Sequence, residues 1–544
     1  MELVLSSETV KKVILLGNEA IVRGALESGV QFVSTYPGTP ASEIGNTFYR
    51  IAKDTGVYFE FSTNEKVALE AGIGASFSSL KTLVAMKNFG LNVCLDALLP
   101  FVYTGTKGPT VIIVADDPSC HSSAQSEENS RPVAYLAHIP VLEPSDPQEC
   151  KDFVKLGFQI SEKFKIPVIV RTTTRVAHQR MPVVLGEWKK NLPFEGKFIK
   201  DPKRWVTLPP RVLEMKKELF EKIDVIREFA EKSKLNIIES KKTSKIGIIT
   251  SGVSYLYVKE SLKELKLDLP VLKLGFFYPL PEKKIKNFIK GLKKVLIVEE
   301  LEGFLEAEIG RLAKESNCKL EIIGKKTLSA VGELKPEQVI FAVAKFAGKK
   351  HKAPTLSFKL AVPKRPAQLC PGCPYWLVIS AVKKAVDEKE VVFGGEIGCY
   401  MLFGNPPVKM QDYLSCMGSS VGIAHGIKKF TKQKLITFVG DSSFFHAGIP
   451  PLINTVFNKS NPLIIILNNQ TTAMTGHQPH PASVGVPDNI KIENIVQACG
   501  VKNLKIIDPI NQEEFIQTIK EFIEKDEVSV IISRRPCIFV APKK

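Results

Sequence analysis

The stretch FVGDSSFFHAG at residues 438–448, followed by IIILNNQTTAMTGHQ at residues 464–478, decides the fold class of this chain. Each half is an apolar, β-branched run that stops abruptly at small or polar residues, as a buried strand of a parallel sheet does where a loop takes over. The first run ends in Gly440-Asp441-Ser442, and 27 residues separate Asp441 from Asn469 at the end of the second. Two neighbouring parallel strands that end this way offer a carboxylate, a side-chain amide and a free carbonyl. These are the hard oxygen donors that octahedral Mg²⁺ takes when it bridges to a diphosphate. Gly440 and the helix start beyond it let backbone N–H groups approach phosphate oxygens.

Outward from that stretch the same pattern recurs. VVFGGEIG, LKIIDP and VSVIISRR complete a unit expected over residues 369–544. SKIGIITSG, LPVLKLG, the turn YPLP and KKVLIVEE mark a smaller α/β unit over 244–350. KKVILLG, VQFVSTYPGTP, LKTLVAMK, PTVIIVADD and IPVIVRTTT mark a third over 1–185. Strand alternating with helix at this spacing predicts parallel sheets covered by helices on both faces, so the fold class is α/β with three parallel-sheet domains. The charged segment 186–243 reads as a helical connector, and the basic, Pro-containing stretch AGKKHKAPTLSFKLAVPKRPAQ at 347–368 marks a domain crossing.

Composition agrees with a multidomain enzyme. The chain has 544 residues, against a prior of ~150 per domain. No run approaches the ~18 uncharged apolar residues of a membrane span. The N-terminal MELVLSSETVKKVILLGNEA has acid at Glu2 and Glu8 and lacks the layout of an export signal, so a cytoplasmic location is expected and no membrane association. Ten cysteines are too few for a disulfide scaffold, which makes any clustered ones metal ligands first. The net charge of +17 suits an acidic protein partner. No zinc-finger spacing, RNA-binding motif or basic-aromatic interleaving is present, and nucleic acid is not expected.

The Gly440-Asp441 and Asn469 pairing resembles the G-D-x … N motif of the thiamine-diphosphate enzymes. That resemblance implies that Asp441, Asn469 and the main-chain carbonyl of Thr471 hold Mg²⁺, with Gly440 and Ser442 at the diphosphate. It also implies a glutamate from another domain at the pyrimidine N1′. STNEKVALEAGIGASF at 62–77 offers Glu65, which matches when Gly90-Leu91 is kept in register, with Glu70 as the fallback. YPGTPASE at 36–43 resembles the Y-P-x-T-P segment of the 2-oxoacid:ferredoxin oxidoreductases, where Thr39 would hydrogen-bond the substrate. MKNFGLN (86–92), VADDPSCHSSAQSEENSR (114–131) and RTTTRVAH (171–178) resemble the alpha subunit of indolepyruvate:ferredoxin oxidoreductase. Pyruvate enzymes carry a substrate-clamping arginine where the ADDP stretch here has none, and this departure favours a larger, aryl 2-oxoacid.

Cysteine placement gives a second signal. Cys370 and Cys373 lie in LCPGCP, Cys399 ends GGEIGC and Cys537 ends SRRPC. C-x2-C by itself is shared by zinc sites, redox disulfides and clusters. In the related two-subunit enzymes the matching contexts hold a 4Fe-4S cluster, so the resemblance implies one here on all four.

The resemblance covers the whole chain and implies two thiamine-diphosphate-binding folds, a pyrimidine-type one at 1–185 and a diphosphate-type one at 369–544, flanking a transketolase-C-terminal-like unit. It implies oxidative decarboxylation of a 2-oxoacid such as indolepyruvate, with coenzyme A taking the acyl group and ferredoxin the electrons. A small beta subunit is expected, in a hetero-oligomer of two copies of each. The family's usual C-terminal ferredoxin-like module is not in the sequence, so electrons are expected to leave through a separate subunit. The alternatives are a thiamine-dependent non-oxidative decarboxylase, which needs no cluster, and a silent scaffold, which binds no cofactor.

Overall fold

A computed structural model describes residues 3–6, 10–190, 195–239, 244–351 and 366–541. Apart from KKVILLG, the apolar runs singled out above form strands of three large sheets, and the molecule is α/β as expected. Most of the crossing stretch 347–368 lies outside the described residues. The chain divides between Ser357 and Phe358 into two compact units.

The first unit contains a seven-stranded sheet. From edge to edge it runs Phe276–Tyr278, Val141–Leu142, Val168–Thr173, Thr110–Asp116, Thr82–Lys87, Phe32–Thr35 and Tyr58–Phe61. All pairs are parallel except the first, where Phe276–Tyr278 joins antiparallel. Thr110–Asp116 is buried at every position, as a strand covered on both faces must be. After Phe32–Thr35 the chain moves outward to Tyr58–Phe61 and then returns to the other side as Thr82–Lys87. The strand order reverses there, and in open α/β sheets that reversal opens a crevice at the carboxyl ends of the strands.

A five-stranded sheet follows in the same unit: Glu321–Ile323, Lys294–Val298, Ile246–Thr250, Val271–Leu274 and Asn236–Glu239. Its edge strand Asn236–Glu239, antiparallel to Val271–Leu274, comes from the segment expected to be a helical connector. The helix Arg211–Lys232 is present before it, burying Met215, Leu219, Ile223, Ile226 and Ala230 along one face. A single hydrophobic core runs through both sheets, so these two predicted domains pack as one body.

The reversal point of this second sheet is filled by protein. Arg131 reaches across to Glu143 at 2.7 Å and Glu299 at 2.9 Å, and Arg171 joins Glu143 at 3.1 Å. The space left is about 10 Å³, room for one water at most. KKVILLG is a strand, but Lys12–Leu16 pairs antiparallel with Arg180–Val184 in a separate ribbon and not with the parallel sheet.

The second unit holds a six-stranded parallel sheet ordered Tyr413–Leu414, Val391–Gly395, Lys434–Gly440, Leu463–Asn468, Ser529–Arg534 and Asn503–Ile507. Its order reverses between Val391–Gly395 and Lys434–Gly440. The quoted Gly440-Asp441 therefore stands at the crevice where ligands enter such sheets.

Candidate functional site

Lys434–Gly440 and Leu463–Asn468 are adjacent, with Gly440 paired in register to Leu467, so Asp441 and Asn469 leave the sheet side by side. Asp441 begins a helix and is 2% exposed. One carboxylate oxygen accepts from the Ser442 N–H at 2.8 Å and the other from the Gln470 N–H at 2.6 Å, which ties the two loops together. Gln470 takes the bend at φ 64°. Asn469 and Thr471 are buried, and the Asn469 side-chain oxygen accepts from the Thr471 N–H at 3.2 Å. The Thr472 hydroxyl donates to Ser442 Oγ at 3.0 Å, drawing Ser442 against the second loop. These oxygen-rich, water-poor loops have the donor set that Mg²⁺ takes.

The sequence reading missed His480. Its Nε2 lies 3.2 Å from the outer Asp441 oxygen, although the ring is not aligned for a good hydrogen bond. The Ala482 N–H donates to His480 Nδ1 at 3.2 Å, which leaves the proton of a neutral ring on Nε2, facing Asp441. A lone histidine in a loop carries no sequence signal. Glu396 was also missed, because GGEIGC was read only for its cysteine. It is fully buried at the end of Val391–Gly395, where it accepts from the Tyr400 hydroxyl and the Gly418 N–H. Burial pushes its carboxyl up to about 7, with those hydrogen bonds pulling the other way.

The four singled-out cysteines come from three separate stretches and line one cavity of about 240 Å³. Tyr375, Asn469, Leu402, Met474 and Phe539 share its walls. The Cys537 N–H donates to the Asn469 carbonyl at 2.9 Å, joining the late cysteine loop to the Asp441 loops. Burial raises the Cys373 thiol to about 11 and the Cys399 thiol to about 12, and in both the neighbouring cysteines add to the rise. Such thiols ionise when a metal takes them, because the bound cation replaces the lost solvation. Among the described residues no three His, Cys, Asp or Glu side chains stand in a closed coordination geometry. Of the remaining cysteines, Cys94 and Cys150 are buried in the first unit's core.

In the first unit, Thr39 follows Phe32–Thr35 in a turn and its hydroxyl is 3.2 Å from Ser42 Oγ. Glu65 opens the helix Glu65–Phe77, capped by Asn64, whose side chain accepts from the Val67 N–H at 2.8 Å. It is 5% exposed and packs on Gly90: a Cβ there would come 2.4 Å from Glu65 Cγ. Glu70 is half exposed and pairs with Lys66 at 3.6 Å, as a solvated helix residue does. Of the two, Glu65 has the sheltered setting of a functional acid.

Lys87, the last residue of Thr82–Lys87, was not singled out from the sequence. Its Nζ donates to Ser123 Oγ at 2.8 Å and to the Ser122 carbonyl at 3.2 Å. Burial lowers its ammonium below the ordinary lysine range, opposed in part by Asp117 and Glu65.

Three family models match the chain. Residues 23–236 match pyruvate flavodoxin/ferredoxin oxidoreductase, thiamine-diphosphate-binding. Residues 236–350 match the indolepyruvate oxidoreductase domain, and 396–533 match the thiamine pyrophosphate enzyme, C-terminal TPP binding domain. The indolepyruvate oxidoreductase subunit IorA of Methanothermobacter thermautotrophicus is 44% identical over 99% of this chain and 89% of its own length. That of Pyrococcus horikoshii is 42% identical over 98% and 87%. The chain belongs to the indolepyruvate oxidoreductase IorA family.

The IorA-family chain thus carries two thiamine-diphosphate-binding domains, one in each unit. A 2-oxoglutarate:ferredoxin oxidoreductase from Magnetococcus marinus, solved with 2-oxoglutarate, coenzyme A and succinyl-CoA bound, shares its fold. The TM-score is 0.50 at 18% identity, over 61% of this chain and 65% of that one. No helix among the described residues of this IorA relative is long and apolar enough to cross a membrane.

Proposed function

We propose that this chain is the large, thiamine-diphosphate-binding subunit of a 2-oxoacid:ferredoxin oxidoreductase of the indolepyruvate type. It acts on arylpyruvates with coenzyme A as acyl acceptor and ferredoxin as electron acceptor. Its partner is a small beta subunit, two copies of each form the enzyme, and it works in the cytoplasm. The observation that carries the oxidative reading is the convergence of Cys370, Cys373, Cys399 and Cys537 on one cavity that Asn469 also lines. A non-oxidative decarboxylase has no use for four thiols gathered beside its cofactor loops.

The donor types suit the groups assigned to them, although among the described residues no three His, Cys, Asp or Glu side chains already form a metal-binding set. Asp441, Asn469 and the Thr471 carbonyl hold Mg²⁺, and the backbone at Gly440 and Ser442 meets the diphosphate. Four thiolates in an apolar-walled cavity suit a 4Fe-4S cluster. Bound thiamine diphosphate supplies carbanion chemistry at the 2-oxo carbon, and the cluster supplies one-electron steps. The protein supplies placement and proton control. Glu65, sheltered on Gly90, holds a proton for the pyrimidine N1′. Thr39 donates its hydroxyl to the substrate from the turn after Phe32–Thr35. ADDP carries no arginine to clamp a small 2-oxoacid, which favours an aryl substrate.

Iron and acid-labile sulfide in the anaerobically purified complex test this reading. Equal amounts of both, lost together in Cys370→Ala and Cys537→Ala, are expected. Protein that binds thiamine diphosphate but carries no iron contradicts the oxidative reading and leaves the decarboxylase.

A further inference from the structure

We infer that Lys87 binds the carboxylate of the 2-oxoacid, supplying in this chain the cationic contact that the ADDP stretch does not. The inference rests on the proposed function and deepens it by assigning the charged end of the substrate pocket.

Topology brings the parts together. Phe32–Thr35 and Thr82–Lys87 are neighbours, with Thr35 in register with Ala85, and they flank the strand-order reversal of the seven-stranded sheet. The turn bearing Thr39 leaves the carboxyl end of one strand, and Lys87 ends the other. This is the crevice that α/β sheets use for ligands. The two parts also touch: a Cβ at Gly38 would lie 3.0 Å from Lys87 Cγ and 3.1 Å from Cδ. The lysine stem therefore lies along the backbone just before Thr39. The glycine of Pro-Gly-Thr-Pro is what lets the stem approach.

The head group is held and still incomplete. An ammonium has three N–H donors. Among the described residues two are used, on Ser123 Oγ and the Ser122 carbonyl. Ser123 is fixed in turn, its hydroxyl donating to Asp117 at 2.7 Å, and the same Asp117 oxygen accepts the Ser122 N–H at 2.7 Å. Asp117 is itself anchored, its other oxygen accepting from Thr174 Oγ1 at 2.6 Å. The loop after Thr110–Asp116 is thus folded to aim a lysine. Among the described residues no carboxylate lies within the 4.0 Å of an ion pair with Nζ. The Phe89 ring stands 4.8 Å from Nζ and shields one side. A half-buried ammonium without a carboxylate in contact favours an anionic ligand, because partial burial strengthens an interaction that water would otherwise screen.

The test compares the wild-type complex with Lys87→Gln and Lys87→Arg, each loaded with thiamine diphosphate and Mg²⁺. Steady-state oxidation of indolepyruvate should show KM raised about 10- to 100-fold in Lys87→Gln, the range of a charge-assisted hydrogen bond. Lys87→Arg should recover much of it. A second measurement needs no turnover: calorimetric binding of indole-3-lactate, which keeps the carboxylate, against tryptophol, which lacks it. Wild type should prefer the acid, Lys87→Gln should lose that preference, and cofactor affinity should be the same in both. If wild type oxidises indolepyruvate while Lys87→Gln keeps both its KM and its preference for the acid, the inference is wrong and the functional reading stands. If wild type neither oxidises a 2-oxoacid nor distinguishes the two ligands, both are wrong.

Discussion

Gly90→Ala should disable the enzyme without loosening its cofactor. The helix Asn88–Thr104 packs on the helix Glu65–Phe77 so closely that an added methyl would sit 2.4 Å from Glu65 Cγ, 2.9 Å from Oε1 and 3.0 Å from Cδ. The crowded atom is the middle of the side chain rather than its flexible tip, so the whole carboxyl must retreat. Reaching ordinary contact moves Cγ by about 1 Å, and misplacement on that scale costs on the order of 10²-fold in rate. The strain adds about 1–3 kcal/mol of instability, which a multidomain protein of this size survives. The assay is exchange of the thiamine C2 proton with deuterated water, beside calorimetric affinity for thiamine diphosphate. We expect exchange slowed about 100-fold at near-normal affinity. Glu65→Gln should give a similar loss, and the double variant should be little worse than either, because both act on one group. Wild-type exchange in Gly90→Ala would show that Glu65 is not the acid, or that its placement is irrelevant.

Other perturbations reach different parts of the account. Asp441→Ala should abolish Mg²⁺-dependent cofactor binding, since it removes a buried charged ligand and the anchor of the Ser442 and Gln470 N–H groups; unchanged calorimetric affinity would contradict the assignment. Arylpyruvates should exceed pyruvate and 2-oxoglutarate in kcat/KM, a buried ring contributing ~25 cal/mol per Å², and a preference for pyruvate would refute the aryl reading. Glu300 gives a pH prediction. Burial pushes its carboxyl up to about 7, against the pull of Arg171, so the folded state holds a proton that the unfolded state has released. Stability is therefore lost as pH rises from the ordinary carboxylate range through about 7. Glu300→Gln keeps an acceptor for the Leu334 N–H and should out-melt wild type at pH 8, by up to ~3 kcal/mol, while matching it near pH 5. A gap between the two melts that does not change with pH would refute it.

Most strands of the sheets are legible because they are apolar runs closed by small or polar residues. What the sequence hid was pairing at a distance. Lys12–Leu16 finds its partner at Arg180–Val184, and Phe276–Tyr278 edges the seven-stranded sheet rather than the five-stranded one that its sequence neighbours form. Asn236–Glu239 is four residues after a long charged helix, too short to stand out as a strand. The candidate site divides the same way. Asp441 and Asn469 announce themselves because two strand ends at a fixed spacing are needed for the chemistry. The four cysteines do so because of their contexts. Lys87, His480 and Glu396 are single residues of common type, and only the fold shows how they are aimed and held. Within 186–243, the helix periodicity is strong enough to mask the edge strand Asn236–Glu239 that follows it.

The most direct test of the account is the anaerobic, indolepyruvate-dependent reduction of ferredoxin by the purified complex, with coenzyme A, thiamine diphosphate and Mg²⁺ supplied. Reduction should require every one of these components and disappear in Cys399→Ala, whose thiol shares the cavity with the other three. Release of CO₂ and an aldehyde with ferredoxin left oxidised would contradict it.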